Sequence, residues 1–179
     1  MPKLIENARE LIIETSEKLL FEVGYKGFKI REVASRCGIA TGTIFNYFAS
    51  KEMLIASIIA KDWADYLEDI KRDCDLASDI ASGIRAIYEG IEAFSKKYEP
   101  IWMDYSGNII GRFGKYHIAL RGQIADILSK MLLRFKRRID KAIIDIFAET
   151  VLASTVQKDI SVADLLRFTA MLFSNIEDR

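Results

Sequence analysis

Apolar residues recur at helical spacing from the start of the chain. Leu4, Ala8, Leu11, Ile12, Leu19 and Leu20 share one face of a helix predicted over residues 3–23, with Glu and Lys on the other. Gly24 stands where a left-handed cap residue ends such a helix, leaving residues 25–28 as a connecting loop. Ile30, Val33 and Ala34 predict a second helix of two turns near residues 30–37. Gly38 then permits a positive φ, and Ile39 plugs the turn with an apolar side chain. A third short helix follows over residues 41–48, with Thr41 as candidate cap. Ile44, Phe45 and Phe48 fall on its inner side; Thr41, Gly42, Thr43, Asn46 and Tyr47 are left outside.

Ser50 is the expected N-cap of the next helix, which carries Leu54, Ile58, Trp63, Leu67 and Ile70. At about 24 residues this helix would be some 36 Å long, enough to act as a lever between two domains. Residues 72–75 break its periodicity. Ile80, Ile84, Ile87, Ile91 and Phe94 define another amphipathic helix, and Pro100 suits the first turn of a further one through Trp102 and Tyr105. Residues 106–108 and 111–114 are the weakest helical segments and predict a broken or mobile region. Ile118, Ile124, Leu128, Met131, Leu132 and Phe135 form a long helix, followed by a charged joint over 135–140. Ile143, Phe147, Val151 and Thr155 continue in a further helix, and 158–160 form a turn. Ser161 and Asp164 make a capping box for a last helix carrying Leu165, Leu166, Phe168, Leu172, Phe173 and Ile176. No alternation long enough for a strand interrupts this pattern. The fold class expected is all-α.

Composition agrees, with half of the 179 residues hydrophobic and only two prolines. Net charge is zero, so it gives no sign of a nucleic-acid partner; the distribution of charge does. Between residues 26 and 51, Lys26, Lys29, Arg31, Arg36 and Lys51 stand against Glu32 alone. Such a patch can attract phosphates, although the same residues also suit an ordinary solvated face. Two cysteines, Cys37 and Cys74, without a CxxC pair suggest neither a disulfide framework nor a zinc site, so a reducing, cytoplasmic setting is expected. Lys3, Glu6, Arg9 and Glu10 interrupt any leader-like run, and no apolar stretch approaches the roughly 18 residues of a membrane span. There is no P-loop, GxSxG, HExxH or Cys/His pair, so no enzyme, catalytic residue, cofactor or metal site is expected. His117, the single histidine, lacks the neighbours of a metal site.

Residues 30–51 carry the most specific chemistry. Two short helices around a glycine turn can place the second helix in a DNA major groove. Gly42 lets the backbone approach. Thr41 and Thr43 can donate to phosphate oxygens or touch a thymine methyl, and Asn46 can read a base edge or point to solvent. Tyr47 and Lys51 stand where phosphate anchors are useful, and Lys29 and Arg31 lie close by in the sequence.

Several short motifs recur together here: Phe21-Glu-Val-Gly-Tyr25, Ile30-Arg-Glu-Val-Ala34, Cys37-Gly-Ile39, Thr41-Gly-Thr-Ile44, Tyr47-Phe48 and Ser50-Lys-Glu52 with Leu54. In these, residues 9–55 resemble the N-terminal DNA-binding domain of the TetR family of bacterial transcriptional regulators. Three positions depart from the family's habit. Phe45 stands where Tyr is common, Lys29 where a capping Thr is common, and Ala40 where Ser is common.

The resemblance implies a helix-turn-helix domain over residues 1–50 and a helical effector-binding and dimerisation domain over 51–179. It implies a homodimer on a palindromic double-stranded DNA operator, with recognition helices about 34 Å apart. A repressor released by an unknown small-molecule effector is the expected mode. By the same resemblance Phe147, Val151, Leu165, Phe168, Leu172 and Phe173 fall in the dimer interface. Trp63, Tyr66, Tyr88, Trp102, Met103, Tyr105, Phe113, Tyr116 and His117 are its effector-pocket candidates. Asp104 or Glu92 would suit a cationic ligand, Arg112 or Arg121 an anionic one. The other reading is a helical ligand-binding or scaffold protein without DNA binding.

Overall fold

The computed structural model describes residues 7–104, 109–157 and 160–174, with the backbone alone for 109–116, 156–157 and 174. The described residues form helices and no strand: α1 (Ala8–Gly27), α2 (Ile30–Cys37), α3 (Thr41–Tyr47), α4 (Lys51–Leu76), α5 (Ile80–Asp104), α6 (Ile109–Arg134), α7 (Lys141–Gln157) and α8 (Val162–Ser174). The all-α architecture is as the periodicity predicts. The chain divides into two compact units, and α4 and α5 each contribute to both. The first holds α1–α3, α4 up to Asp65, and α5 from Tyr98. The second holds the remainder of α4 and α5 with α6–α8.

In the first unit, Ile12, Leu19 and Leu20 of α1 meet Val33 and Ala34 of α2 and Ile44 of α3 in a core closed by Phe28, Phe48 and Leu54, all buried. Gly38 takes the left-handed conformation (φ 65°) as its place after α2 predicts. Three local expectations are corrected. Helix α1 does not stop at Gly24: that residue (φ 70°, ψ 177°) makes a kink, and residues 25–27 form one more helical turn. Ala40, not Thr41, occupies the N-cap of α3, without a side-chain hydrogen bond. Phe45 is 50% exposed and not part of the core. Ile44 and Phe48 share one stripe four residues apart, and Phe45 lies about 100° around the helix from it.

Helix α4 begins as expected, the amide N–H of Met53 donating to Ser50 Oγ at 3.2 Å. Pro100 does not start a helix; it lies inside α5. Ile91, Phe94, Tyr98 and Ile101 keep one buried stripe running past it, and that burial outweighs the hydrogen bond the proline removes. Residues 106–108 lie outside the described residues, whereas 111–114 belong to α6.

In the second unit, α4 and α5 approach closely: a Cβ built on Gly90 would lie 2.3 Å from Cγ1 of Ile70. Helix α6 packs on α7, and α7 on α8, around Ile124, Leu128, Phe147, Val151 and Leu165. The Arg134 guanidinium donates to the carbonyls of Cys74 (2.9 Å), Ala77 (2.6 Å) and Asp75, and so closes the C-terminal end of α4. The joint expected over 135–140 is present, with Lys136 at φ 57°. Ser161 caps α8, its Oγ accepting from the Asp164 amide at 3.2 Å while the hydroxyl donates to the Asp164 carboxylate.

Candidate nucleic-acid interface

The outer face of α3 is open. Gly42, Phe45, Asn46 and Tyr47 are exposed and Thr41 and Thr43 half-buried. A Cβ on Gly42 would meet nothing within 4 Å, so internal packing does not require glycine there. Lys29 and Arg31, at the start of α2, are exposed as well. A small residue with free space above it, hydroxyls, an amide and a phenol on one side of a short helix, and two nearby cations together suit a phosphate backbone and a groove.

Two members of the expected basic patch are engaged inside the protein. The Arg36 guanidinium pairs with Glu22 (2.7 Å) and Glu32 (3.1 Å), which raise its already high pKa. Lys51, expected as a phosphate anchor, is held within the first unit. Its Nζ donates to the Tyr25 carbonyl and lies 4.1 Å from the centre of the Tyr25 ring. Burial draws this ammonium below the ordinary lysine range, against the pull of Glu52 and Asp104. Phe45, assigned to the core by pattern, joins the exposed face instead.

The effector-pocket candidates fall in both units. Trp63, Trp102 and Met103 belong to the first unit, Tyr66, Tyr88 and His117 to the second. Trp63 and Tyr88 are buried, and Tyr66 lies edge-on to Phe94 at 5.5 Å. Trp102 stacks on Tyr98 at 6.0 Å. Met103 is exposed. Tyr105 lies outside the described residues, as do the side chains of Phe113, Tyr116 and Arg112. His117 Nε2 meets the Glu149 carboxylate at 2.8 Å and 2.9 Å. Asp104 is taken by the first unit itself, since the amide N–H of Lys26 donates to its Oδ2 at 2.7 Å. The second unit carries an open groove of about 430 Å³ lined by Arg121, Asp145, Ile146, Glu149, Thr150, Ala153 and Ile160. Of these the sequence pattern singled out Arg121 alone, because a groove between helices leaves no periodic signal.

The interface candidates divide as well. Phe147, Val151, Leu165 and Phe173 are buried inside the second unit, where the Phe147 ring meets Phe168 and Phe173 at 6.1 Å. They are core residues, since their side chains face neighbouring helices of the same chain. Phe168 is 45% exposed and Leu172 half-buried; Ile143 and Ile146 of α7 and Met171 of α8, not among the interface candidates, are exposed as well.

Helices α1–α3 have the geometry of a helix-turn-helix domain. The family model for bacterial regulatory proteins of the tetR family matches residues 12–58. Among relatives, the chain is 38% identical over 55 residues to the uncharacterized HTH-type transcriptional regulator YuxN of Bacillus subtilis, covering 31% of this chain and 19% of that one. It is 34% identical over 55 residues to the HTH-type transcriptional repressor KstR of Rhodococcus jostii, covering 31% and 26%. These matches thus span about a fifth to a quarter of the relatives' own length. Over nearly the whole chain the fold is similar to two solved structures. One is a TetR-family transcriptional regulator from Streptomyces coelicolor (TM-score 0.59, 19% identity, 94% and 98% covered). The other is Thermus thermophilus FadR, a repressor of the same family solved with lauroyl-CoA (TM-score 0.61, 16% identity, 96% of each chain). The match to the tetR family model is confined to residues 12–58, and the all-helical fold is similar to that of solved TetR-family regulators. No helix among the described residues is long and apolar enough to cross a membrane.

Proposed function

We propose that this protein is a transcriptional regulator that binds a palindromic operator as a homodimer, acts as a repressor, and is released by a small-molecule effector. Residues 1–50 are the DNA-binding domain and 51–179 the effector-binding and dimerisation domain. The observation that carries the reading is the unfilled outer face of α3, where Gly42 has no internal reason to be glycine. Thr41, Thr43, Asn46 and Tyr47 surround it, and Lys29 and Arg31 supply charge. The exposed apolar side chains of α7 and α8 (Ile143, Ile146, Phe168 and Met171) supply the dimer contact. The solved relatives bound to stearoyl-CoA and lauroyl-CoA make long-chain acyl thioesters the first effector class to test. Release requires that such a ligand bind the DNA-free state more tightly.

Selection of duplexes from a random library by the full chain tests the reading. Enrichment of an inverted repeat is expected. A folded protein that enriches no sequence overturns it and leaves a helical ligand-binding or scaffold protein. Stearoyl-CoA added to the selected complex is expected to release the DNA.

A further inference from the structure

The kink at Gly24 interrupts the hydrogen-bond ladder of α1, so the turn over residues 25–27 has a start of its own with amide donors to satisfy. The partner comes from 78 residues further on: the amide N–H of Lys26 donates to Asp104 Oδ2 at 2.7 Å, and Lys26 Nζ pairs with Oδ1 at 3.2 Å. Gly24 is matched to this approach, since a Cβ there would lie 2.9 Å from the same Oδ2. From another side α4 holds the same turn, through Lys51 on the Tyr25 carbonyl and the Tyr25 hydroxyl donating to Glu52 at 3.2 Å. Only Phe28 and Lys29 separate this turn from α2.

We propose that Asp104 is a positioning residue for DNA reading: its carboxylate, at the last residue of α5, fixes the head formed by α1–α3 to the end of that helix. The inference rests on the DNA-binding reading above. Three features mark the contact as more than a surface ion pair. It is made to a backbone amide, so no side-chain change at residue 26 removes its core. It comes so close to position 24 that a Cβ there would displace the carboxylate. It joins residues 78 apart in sequence, the turn after the Gly24 kink and the last residue of α5. In a dimer on DNA, the orientation of each head decides which half-site spacing the pair can meet.

Half-site spacing is the readout that a merely structural role would not move. Full-length wild type, Asp104→Ala and Asp104→Asn are each used to select from palindromes with variable spacers, with thermal melting and circular dichroism as folding controls. Asn keeps an oxygen acceptor for the Lys26 amide and is expected to select the wild-type spacing. Ala removes it and is expected to accept a broadened or shifted range, with affinity for the wild-type operator reduced roughly tenfold. Single half-site affinity is expected to stay unchanged. If Asp104→Ala does not fold, Asp104→Ser, whose oxygen falls short of the amide, takes its place. An Ala or Ser variant with wild-type spacing and affinity overturns the inference alone. A wild-type protein that selects no duplex overturns the DNA-binding reading and this inference with it.

Discussion

The hydroxyl of Tyr98 donates to the Asp62 carboxylate at 2.9 Å, and the pair is buried between α5 and α4 in the unit that holds the reading head. The Tyr98 ring lies 5.4 Å from Phe21 of α1, so one side chain links three helices. A hydrogen bond to a buried carboxylate contributes more than a neutral pair. Tyr98→Phe keeps the ring and removes that bond. It is expected to lower the denaturant midpoint by the equivalent of about 1–3 kcal/mol with the slope unchanged. A midpoint equal to wild type would deny the pair any part in holding α4 and α5 together.

Ile44 and Phe45 are neighbours in sequence and opposite in role. Ile44→Ala opens space in a closed core and is expected to cost about 2–5 kcal/mol. Phe45→Ala removes a half-exposed ring and is expected to cost no more than about 1 kcal/mol, while weakening DNA binding. Chemical denaturation and gel-shift titration of the two variants check this. A large stability loss at Phe45 with unchanged DNA affinity would return that residue to the core.

The contrast shows what the sequence can and cannot reveal. Ser50, Gly38 and the Ser161–Asp164 box are legible because each acts on its own helix end through contacts a few residues away. The open polar face of α3 proposed to read DNA is legible for the same reason, since small and polar residues cluster within one short helix. Gly24 looks like a terminator in the sequence because its partner, Asp104, is remote. Pro100 looks like a helix start because the buried stripe that carries α5 past it weighs more than a local breaker. Phe147 and Phe168 look equivalent by period, yet one is buried against the other.

Asp104 also gives a pH dependence. The Lys26 amide, then the Lys26 ammonium, hold its carboxyl below the ordinary value of 3.8. The folded state therefore takes up this proton less readily than the unfolded chain. The stabilisation is complete above the ordinary aspartate range and is lost as pH falls through the lower folded value. The stability difference between wild type and Asp104→Asn, from urea midpoints at stepped pH, is expected to shrink below pH 3.8. A difference that stays constant to the acid limit of folding would contradict this.

The two thiols should differ in reactivity. Burial pushes the Cys74 thiol up to about 12, with Asp75 and Asp73 adding to the effect and Arg134 opposing it. Cys37 is only half-buried. A thiol reagent at pH 8 is expected to label Cys37 in the native protein and Cys74 only after unfolding, as peptide mapping would show. Rapid native labelling of Cys74 would contradict its place beneath the Arg134 clamp.

The central claim is that the open face of α3, with the cations beside it, meets DNA. Its most direct measurement is the salt dependence of binding to the selected duplex, for wild type and for Lys29→Ala and Arg31→Ala. The account predicts a steep linear fall of log affinity with log salt, and a slope reduced by about 0.9 for each phosphate contact removed. Tight binding with no salt dependence, or slopes untouched by either substitution, would contradict it.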